Sequence, residues 1–380
     1  MTESLRSDVE HREVLVVGAG PAGSTAAASL AEAGVDTLVI ERREIVGNPT
    51  QCGECVPFWS EMLPTYPKLQ GEEWLEDWFD FPDRVIAKNL DWMRVFSPKM
   101  RPYAFDLDCF SAHRVQFDGY LADEAISRGA EIRTSVELRN IQHQSKSARD
   151  VYVTDQGRFT ADHVIDATGA LAHVARLRGK GDRPGGQLPT IYAQVAGAVP
   201  DSFDVFLGSV APGGYAWIIP KGDDVANIGI GMVTSRIEEP LRQTLDKFTE
   251  GLELRTLSYG GGWIPLAGPC RSAVSDNVLA VGDAAGLVMP SNGGGIGQAI
   301  VSGKYAADAI IANRNDATPL SSYDDILESN MRKPLRISAR SKRLFQTLCR
   351  GDFTTEMALR FLGTRGIQRA IECHRPLYVL

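Results

Sequence analysis

The sequence predicts an α/β chain: a Rossmann-like dinucleotide-binding domain with an inserted antiparallel-sheet substrate domain and a helical C-terminal segment. Three observations predict it. Gly18-x-Gly20-x-x-Gly23 lies between a short apolar run, residues 14–17, and an Ala-rich stretch. Residues 190–265 break into short β-rich segments bounded by Gly, Pro or Asp. After them a second apolar run, 278–281, ends in Gly282-Asp283. Nucleotide-type elements thus flank the β-rich stretch, which marks it as an insertion.

Residues 14–17 (VLVV) read as a strand buried on both faces. Ser24 to Ala33 reads as helix, with Gly34 as its C-cap glycine. Thr37 to Ile40 reads as the next strand and ends at Glu41. Strand, glycine turn, helix, strand and acid complete one βαβ unit. Residues 48–70 read as loop with short helices, and 72–81 carry Trp74, Trp78, Phe79 and Phe81. A helix is expected over 117–128, and strands over 130–141 and 149–165, the latter running into Asp166-Ala167-Thr168-Gly169. Segments 191–199, 204–208, 215–219 and 225–233 are the inserted strands. A helix over 296–312 follows Asn292-Gly293-Gly294-Gly295, and residues from 320 read as helices.

The chain has 380 residues, is 43% hydrophobic and 23% charged, and carries a net charge of −8. That composition suits a globular protein with a sizeable core and argues against nucleic acid as a partner. Six cysteines are too few for a disulfide framework in a chain of this length. The polar N-terminus shows no secretory signal, and no run of 18 apolar residues is present. A cytoplasmic location is expected.

The chemistry starts at the first turn. Gly18 permits the tight turn, Gly20 lets the backbone approach a pyrophosphate, and Gly23 allows close helix–strand packing. Glu41, 23 residues after Gly18, is placed to accept the hydroxyls of an adenosine ribose. One such fingerprint holds one ADP half. Asp283 after the second buried strand suits the ribityl hydroxyls of a flavin. The Gly293-Gly294-Gly295 turn would present bare N–H groups to the flavin pyrimidine edge. Cys52 and Cys55 form a CxxC, a spacing that serves a redox pair or half a zinc site. No second CxxC exists and His113 and His143 are isolated, so no metal is expected. No GxSxG nucleophile elbow appears.

These motifs, in order and spacing, resemble FAD enzymes of the p-hydroxybenzoate-hydroxylase fold. Three more narrow the resemblance to the geranylgeranyl reductase family: Gln51-Cys52-Gly53-Glu54, the run Pro212 to Pro220 (PGGYAWIIP), and Asn292-Gly293-Gly294-Gly295-Ile296. His113-Arg114-Val115-Gln116-Phe117-Asp118 is similar to the family's arginine-plus-FD helix start. The resemblance covers about residues 12–312. Three positions depart from it: Ile219 stands for the usual Phe, Met289-Pro290-Ser291-Asn292 for Asn-Pro-Leu-Thr, and Cys55 for a small residue. The Ile is shared with flavin halogenases.

The resemblance implies an FAD-dependent reductase that saturates geranylgeranyl chains, with digeranylgeranylglycerophospholipids as the substrate class. A flavin monooxygenase or halogenase, or a reductase of another prenyl tail, is the alternative. It implies FAD contacts at Gly18, Gly20, Ala22, Gly23, Glu41, Arg42, Cys52, Gly53, Cys55, Arg114, Val136, Asp283, Gly294, Gly295 and Ile296. It implies a place for Cys52 beside the flavin, where a catalytic role in proton delivery or a role in shaping the pocket is expected, and a substrate wall at Tyr215, Trp217 and Pro220. Tyr215 and Trp217 alternate along a strand and so face one way. Arg114 is read as a phosphate or ribityl contact, against a surface helix-entry arginine. The electron donor is NAD(P)H or ferredoxin. The expected FAD-binding parts are 10–75, 111–185 and 266–318, the substrate-domain parts 76–110 and 186–265, and the C-terminal segment 319–380. Residues 331–350 hold seven Lys or Arg and no acid, with Arg332, Arg336, Arg340 and Arg343 at helical spacing. They suit a lipid phosphate, an acidic electron carrier or a solvated helix face, or an anionic membrane surface with peripheral attachment at the cytoplasmic face.

Overall fold

The structure, a computed structural model, describes residues 9–143 and 149–375. Its first sheet has a parallel centre. Strand Val9–Val17 lies between Thr37–Ile40 and Arg158–Asp166, with Glu131–Arg133 and Val278–Ala280 outside them. Val14, Leu15 and Val16 are fully buried because both faces of this strand are covered. The chain order of the strands reverses at Val9–Val17, so the glycine turn and the Ala167-Thr168-Gly169 turn open onto one crevice.

Helix Pro21–Glu32 follows the turn, with Pro21 in its first turn, where a missing N–H costs nothing. Its Ala, Ser and Gly residues are buried from Ala22 to Leu30 because helix Ile296–Asp316 packs on it backbone to backbone. A side chain at Gly303 would overlap the Ala22 carbonyl. The expected strand over 130–141 divides into Glu131–Arg133 and Leu138–Gln142, and that over 149–165 into Val151–Thr154 and Arg158–Asp166. Ser135, at φ 59, makes the first break.

The second sheet has eight strands. In spatial order they are Leu254–Pro265, Gln187–Gly197, Val225–Gly231, Tyr215–Pro220, Phe203–Phe206, Ile86–Phe96, Pro102–Ala112 and Cys55–Pro57. All neighbours are antiparallel except Phe203–Phe206 with Ile86–Phe96. Segments far apart in sequence therefore build one sheet, and the stretch after Cys52 reaches its edge.

The C-terminal segment folds as Ser322–Leu327, a π-turn Glu328–Arg332, and helices Lys333–Leu348 and Asp352–Ile371. The latter two roof one face of the second sheet and enclose a cavity of about 290 Å³ against it. The basic stretch does not form one free face. Arg332 is buried and paired with Asp324, and Arg336 pairs with Glu328 at 2.6 Å. Their acids lie upstream of the stretch, across the π-turn.

Candidate active site

The first turn has the geometry a dinucleotide requires. Gly18 takes φ +106, and a Cβ there would sit 2.5 Å from the Ala167 carbonyl oxygen. A Cβ at Gly23 would overlap the Gly18 carbonyl. At Gly20 a Cβ would meet nothing within 4 Å, so the backbone borders open space where a pyrophosphate fits. Glu41 is buried, and its carboxylate accepts the Ala19 and Arg43 N–H groups, each at 2.9 Å. Those bonds aim it across the end of the crevice. Ala22 is buried in the helix, and the Val136 N–H donates to the Glu41 carbonyl at 2.9 Å.

Arg42 points outward, whereas Arg43 turns inward and donates to the Gln51 side chain at 2.9 Å. Strand alternation continued past Ile40 puts Glu41 and Arg43 on one side, a signal the sequence reading did not use.

Asp283 stands at the far end of the crevice, and burial pushes its carboxyl up to about 6, against the opposing charge of Arg114. Its carboxylate has no hydrogen-bond partner among the described residues. A half-buried acid without donors is what ribityl hydroxyls would satisfy. The glycine turn differs from expectation. The Gly293 N–H donates to the Met289 carbonyl and the Gly294 N–H to Asn292 Oδ1, both at 2.8 Å. Among the described residues the N–H groups of Gly295, Ile296, Gly297 and Gln298, at the start of the helix, have no acceptor; the first bond into it runs from the Ala299 N–H to the Gly295 carbonyl at 2.8 Å. The departure to Asn at 292 explains why Gly294 is occupied.

Arg114 is not a surface residue. Its side chain is 10% exposed and forms a two-pronged pair with Asp118 at 2.9 Å. Burial opposes its charge, but Asp118 holds its pKa above the ordinary value. That charge reaches Cys52, Glu54 and Asp283. Burial raises the Cys52 thiol, although Arg114 opposes the rise. The Glu54 N–H donates to Cys52 Sγ at 3.1 Å. Cys52 and Cys55 are both free thiols, and Cys55 turns toward Cys109 on the neighbouring strand.

A buried polar network absent from the sequence reading fixes this loop. Glu54, at φ +71, pairs with Lys221 at 2.8 Å and accepts from Asn227 at 3.0 Å and from Gln194. Asn227 also donates to the Cys52 carbonyl at 3.2 Å and accepts the Trp217 indole N–H at 2.8 Å. Trp217 is 5% exposed, and its ring covers Gly229. Gly53 packs against Ile219 and Trp217. Tyr215 and Trp217 share a face, with ring centroids 5.8 Å apart. Only Tyr215 lines the cavity; Trp217 and Pro220 do not. Trp217 instead carries the loop of Cys52, and Pro220 is buried at the end of its strand. Met93, Val205, Phe345, Leu359 and Leu362 give the cavity its apolar wall.

A two-layered nucleotide crevice with an unpartnered acid, next to an apolar cavity under a helical roof, defines a flavin enzyme acting on an apolar compound. The chain matches the FAD dependent oxidoreductase family over residues 13–204 and the geranylgeranyl reductase catalytic domain over 191–258. It is 30% identical to digeranylgeranylglycerophospholipid reductase 3 of Methanosphaera stadtmanae, over 87% of this chain and 85% of that one. It is 32% identical to the digeranylgeranylglycerophospholipid reductase of Methanocella arvoryzae, over 85% and 84%. A geranylgeranyl bacteriochlorophyll reductase-like protein of Thermoplasma acidophilum superposes with a TM-score of 0.81 at 26% identity, covering 98% of this chain and 94% of that one. The flavin-dependent brominase Bmp2, at 18% identity and a TM-score of 0.69, shares the fold.

The protein is an FAD-dependent oxidoreductase. It belongs to the geranylgeranyl reductase family, on the side of the archaeal digeranylgeranylglycerophospholipid reductases.

Proposed function

We propose that the protein saturates the C=C bonds of the geranylgeranyl chains of a digeranylgeranylglycerophospholipid, in membrane-lipid synthesis. The observation that carries this is the apolar cavity roofed by Lys333–Leu348 and Asp352–Ile371. Its wall residue Tyr215 bonds to the turn that opens the flavin helix.

An isolated trisubstituted alkene is unpolarised, so a proton must reach one carbon as hydride reaches the other. Bound FAD, once reduced, supplies the hydride. Gly20, Glu41, Asp283, Gly295 and Ile296 are the residues proposed to hold it. The cavity wall excludes water, which would trap a carbocation. Burial keeps Cys52 Sγ protonated at neutral pH, so a proton is stored there without a charge. Cys52 is proposed to deliver it, with Trp217, Asn227 and Glu54 positioning its loop. FAD accounts for the single dinucleotide fingerprint, so the electrons are proposed to come from ferredoxin or from NAD(P)H bound without a second such motif.

Peripheral membrane attachment is proposed through the roof. Leu344, Leu348, Phe353, Met357 and Phe361 are exposed there, Phe353 and Phe361 each at 75%. Phe353, Met357 and Phe361 recur every four residues on one helix face, and exposed Arg340 lies nearby in the chain. No helix among the described residues is long and apolar enough to cross a membrane.

The test is anaerobic turnover. Chemically reduced holoenzyme is mixed with digeranylgeranyl glycerophospholipid, and the product is weighed by mass spectrometry. A gain of two hydrogens per double bond, with reoxidation of the flavin, is expected. No gain on enzyme holding reducible FAD overturns the assignment.

A further inference from the structure

Beside the apolar cavity lies a second, polar pocket of about 660 Å³, lined by Arg236, Arg343, Gln346 and Arg350 among others. Arg236, Gln346 and Arg350 also line the apolar cavity, so the two are continuous. Arg236 ends the short turn Thr234–Arg236 after strand Val225–Gly231. Arg343 lies on the roof helix Lys333–Leu348, and Arg350 follows its end.

The three arginines differ from Arg332, Arg336 and Arg360 of the roof. Arg332, Arg336 and Arg360 pair with Asp324, Glu328 and Glu356. Arg236, Arg343 and Arg350 pair with no carboxylate among the described residues. Each is held by a single carbonyl instead. Arg236 donates to Gln346 at 3.1 Å, Arg343 to Ala339 at 3.2 Å and Arg350 to Thr347 at 3.2 Å. Most of their N–H donors stay unspent.

Gln346 builds the site further. Its carbonyl holds Arg236 while its side-chain amide donates to the Gly213 carbonyl at 2.6 Å. The pocket is thereby fixed to the turn before strand Tyr215–Pro220, two residues from the Tyr215 wall. Lys342, on the cavity side, donates to the Leu266 carbonyl at 3.1 Å; burial and then the charge of Arg343 press its ammonium down to about 8. Positive charge is crowded here, and no carboxylate among the described residues comes within ion-pair distance of these cations; Asp352, at the cavity edge, is bound by Ser209 instead. Guanidinium forks match phosphate oxygens two at a time.

We propose that Arg236, Arg343 and Arg350 form an anion site at the cavity mouth that takes the phosphate of a prenylated substrate. The phosphate would anchor the polar end while the chains run into the apolar cavity. This rests on the reductase reading, which supplies the chains; the anion site itself is tested without turnover.

FAD-loaded protein in neutral detergent micelles is titrated with saturated diphytanylglycerol phosphate and with diphytanylglycerol, following Trp fluorescence. The wild type is expected to bind the phosphate-headed lipid at least about tenfold more tightly than the diol. Arg343→Gln and Arg350→Gln should each remove about tenfold of that preference, and Arg343→Gln, outside the apolar cavity's lining, should leave diol binding unchanged. Equal binding of the two lipids by the wild type overturns the site, whether or not either lipid's unsaturated form is reduced. A preference kept intact in both variants also overturns it. Inorganic phosphate in tenfold excess over the lipid should displace little. Inorganic phosphate binding as tightly as the lipid phosphate assigns the pocket to a free anion and overturns the headgroup role. Loss of binding to anionic vesicles in the variants, with the micelle preference intact, makes the arginines a membrane contact and overturns it too. A failed turnover experiment with a surviving micelle preference would count against the reductase assignment alone.

Discussion

The Tyr215 hydroxyl donates to the Asn292 backbone carbonyl, tying a strand of the second sheet to the turn that opens helix Ile296–Asp316. Gly293 sits against that hydroxyl, where a Cβ would come within 2.8 Å, and takes φ +77. Tyr215→Phe should cost about 1 kcal/mol of stability, because the carbonyl loses its partner. FAD affinity should also fall severalfold as the turn loosens. Calorimetry of apoprotein and a flavin titration read the two effects, and unchanged FAD affinity would detach the turn from the cofactor.

Gly20 and Gly23 should fail in different ways. Gly20→Ala meets nothing in the protein but enters the space assigned to the pyrophosphate. Its apoprotein should melt like the wild type and bind FAD far more weakly. Gly23→Ala collides with the Gly18 carbonyl and should destabilise the apoprotein by about 1–3 kcal/mol. Equal FAD affinity in Gly20→Ala and wild type would remove the pyrophosphate from this turn.

Asp283 gives a pH signature. Burial raises its carboxyl from 3.8 to about 6, so the folded apoprotein binds more protons than the unfolded chain between those values. Its contribution to stability therefore falls as pH rises from about 4 to 6. Asp283→Asn lacks that slope. Relative to the variant, wild-type apoprotein should lose melting temperature on going from pH 4.5 to pH 7. With FAD at pH 7 the wild type should bind more tightly. A difference that does not change with pH would place the carboxyl in water.

The Glu54–Lys221 pair is buried, with side chains 3% and 10% exposed. Lys221→Met leaves the buried Glu54 side chain without its ion-pair partner and should cost about 3–5 kcal/mol. Lys221→Met with Glu54→Gln should recover much of it. Chemical denaturation measures both. A double variant no better than the single one would show that Glu54 is held by Asn227 and Gln194 alone.

Membrane attachment through the roof predicts that the protein sediments with anionic vesicles. Phe353→Ser with Phe361→Ser should release most of it without lowering the melting temperature, since both side chains are already solvent-exposed. Undiminished sedimentation of that variant would move the contact elsewhere.

Local patterns made half of the site legible. The Gly18–Glu41 unit and Gly282-Asp283 are short stretches whose geometry follows from backbone sterics, and the alternation of Tyr215 and Trp217 follows from the strand period. The network around Glu54 escaped because its partners lie 140 to 173 residues away in sequence. No window holds that pattern. The basic stretch misled for the same reason: Asp324 and Glu328, which neutralise Arg332 and Arg336, lie outside it. Trp217 and Tyr215 share a face, but the roof covers only one end of it.

Asn292 joins three parts of the molecule. Its carbonyl takes Tyr215, its Oδ1 takes the Gly294 N–H, and its Nδ2 donates to the Ile371 carbonyl at 3.3 Å, near the end of the roof. A change in how the last roof helix seats is thus transmitted to the turn that opens helix Ile296–Asp316. Reshaping that end of the roof displaces the same turn, so the two cannot be altered independently. The freedom to diversify lies at Phe345, Leu359 and Leu362, which touch the cavity but not the junction.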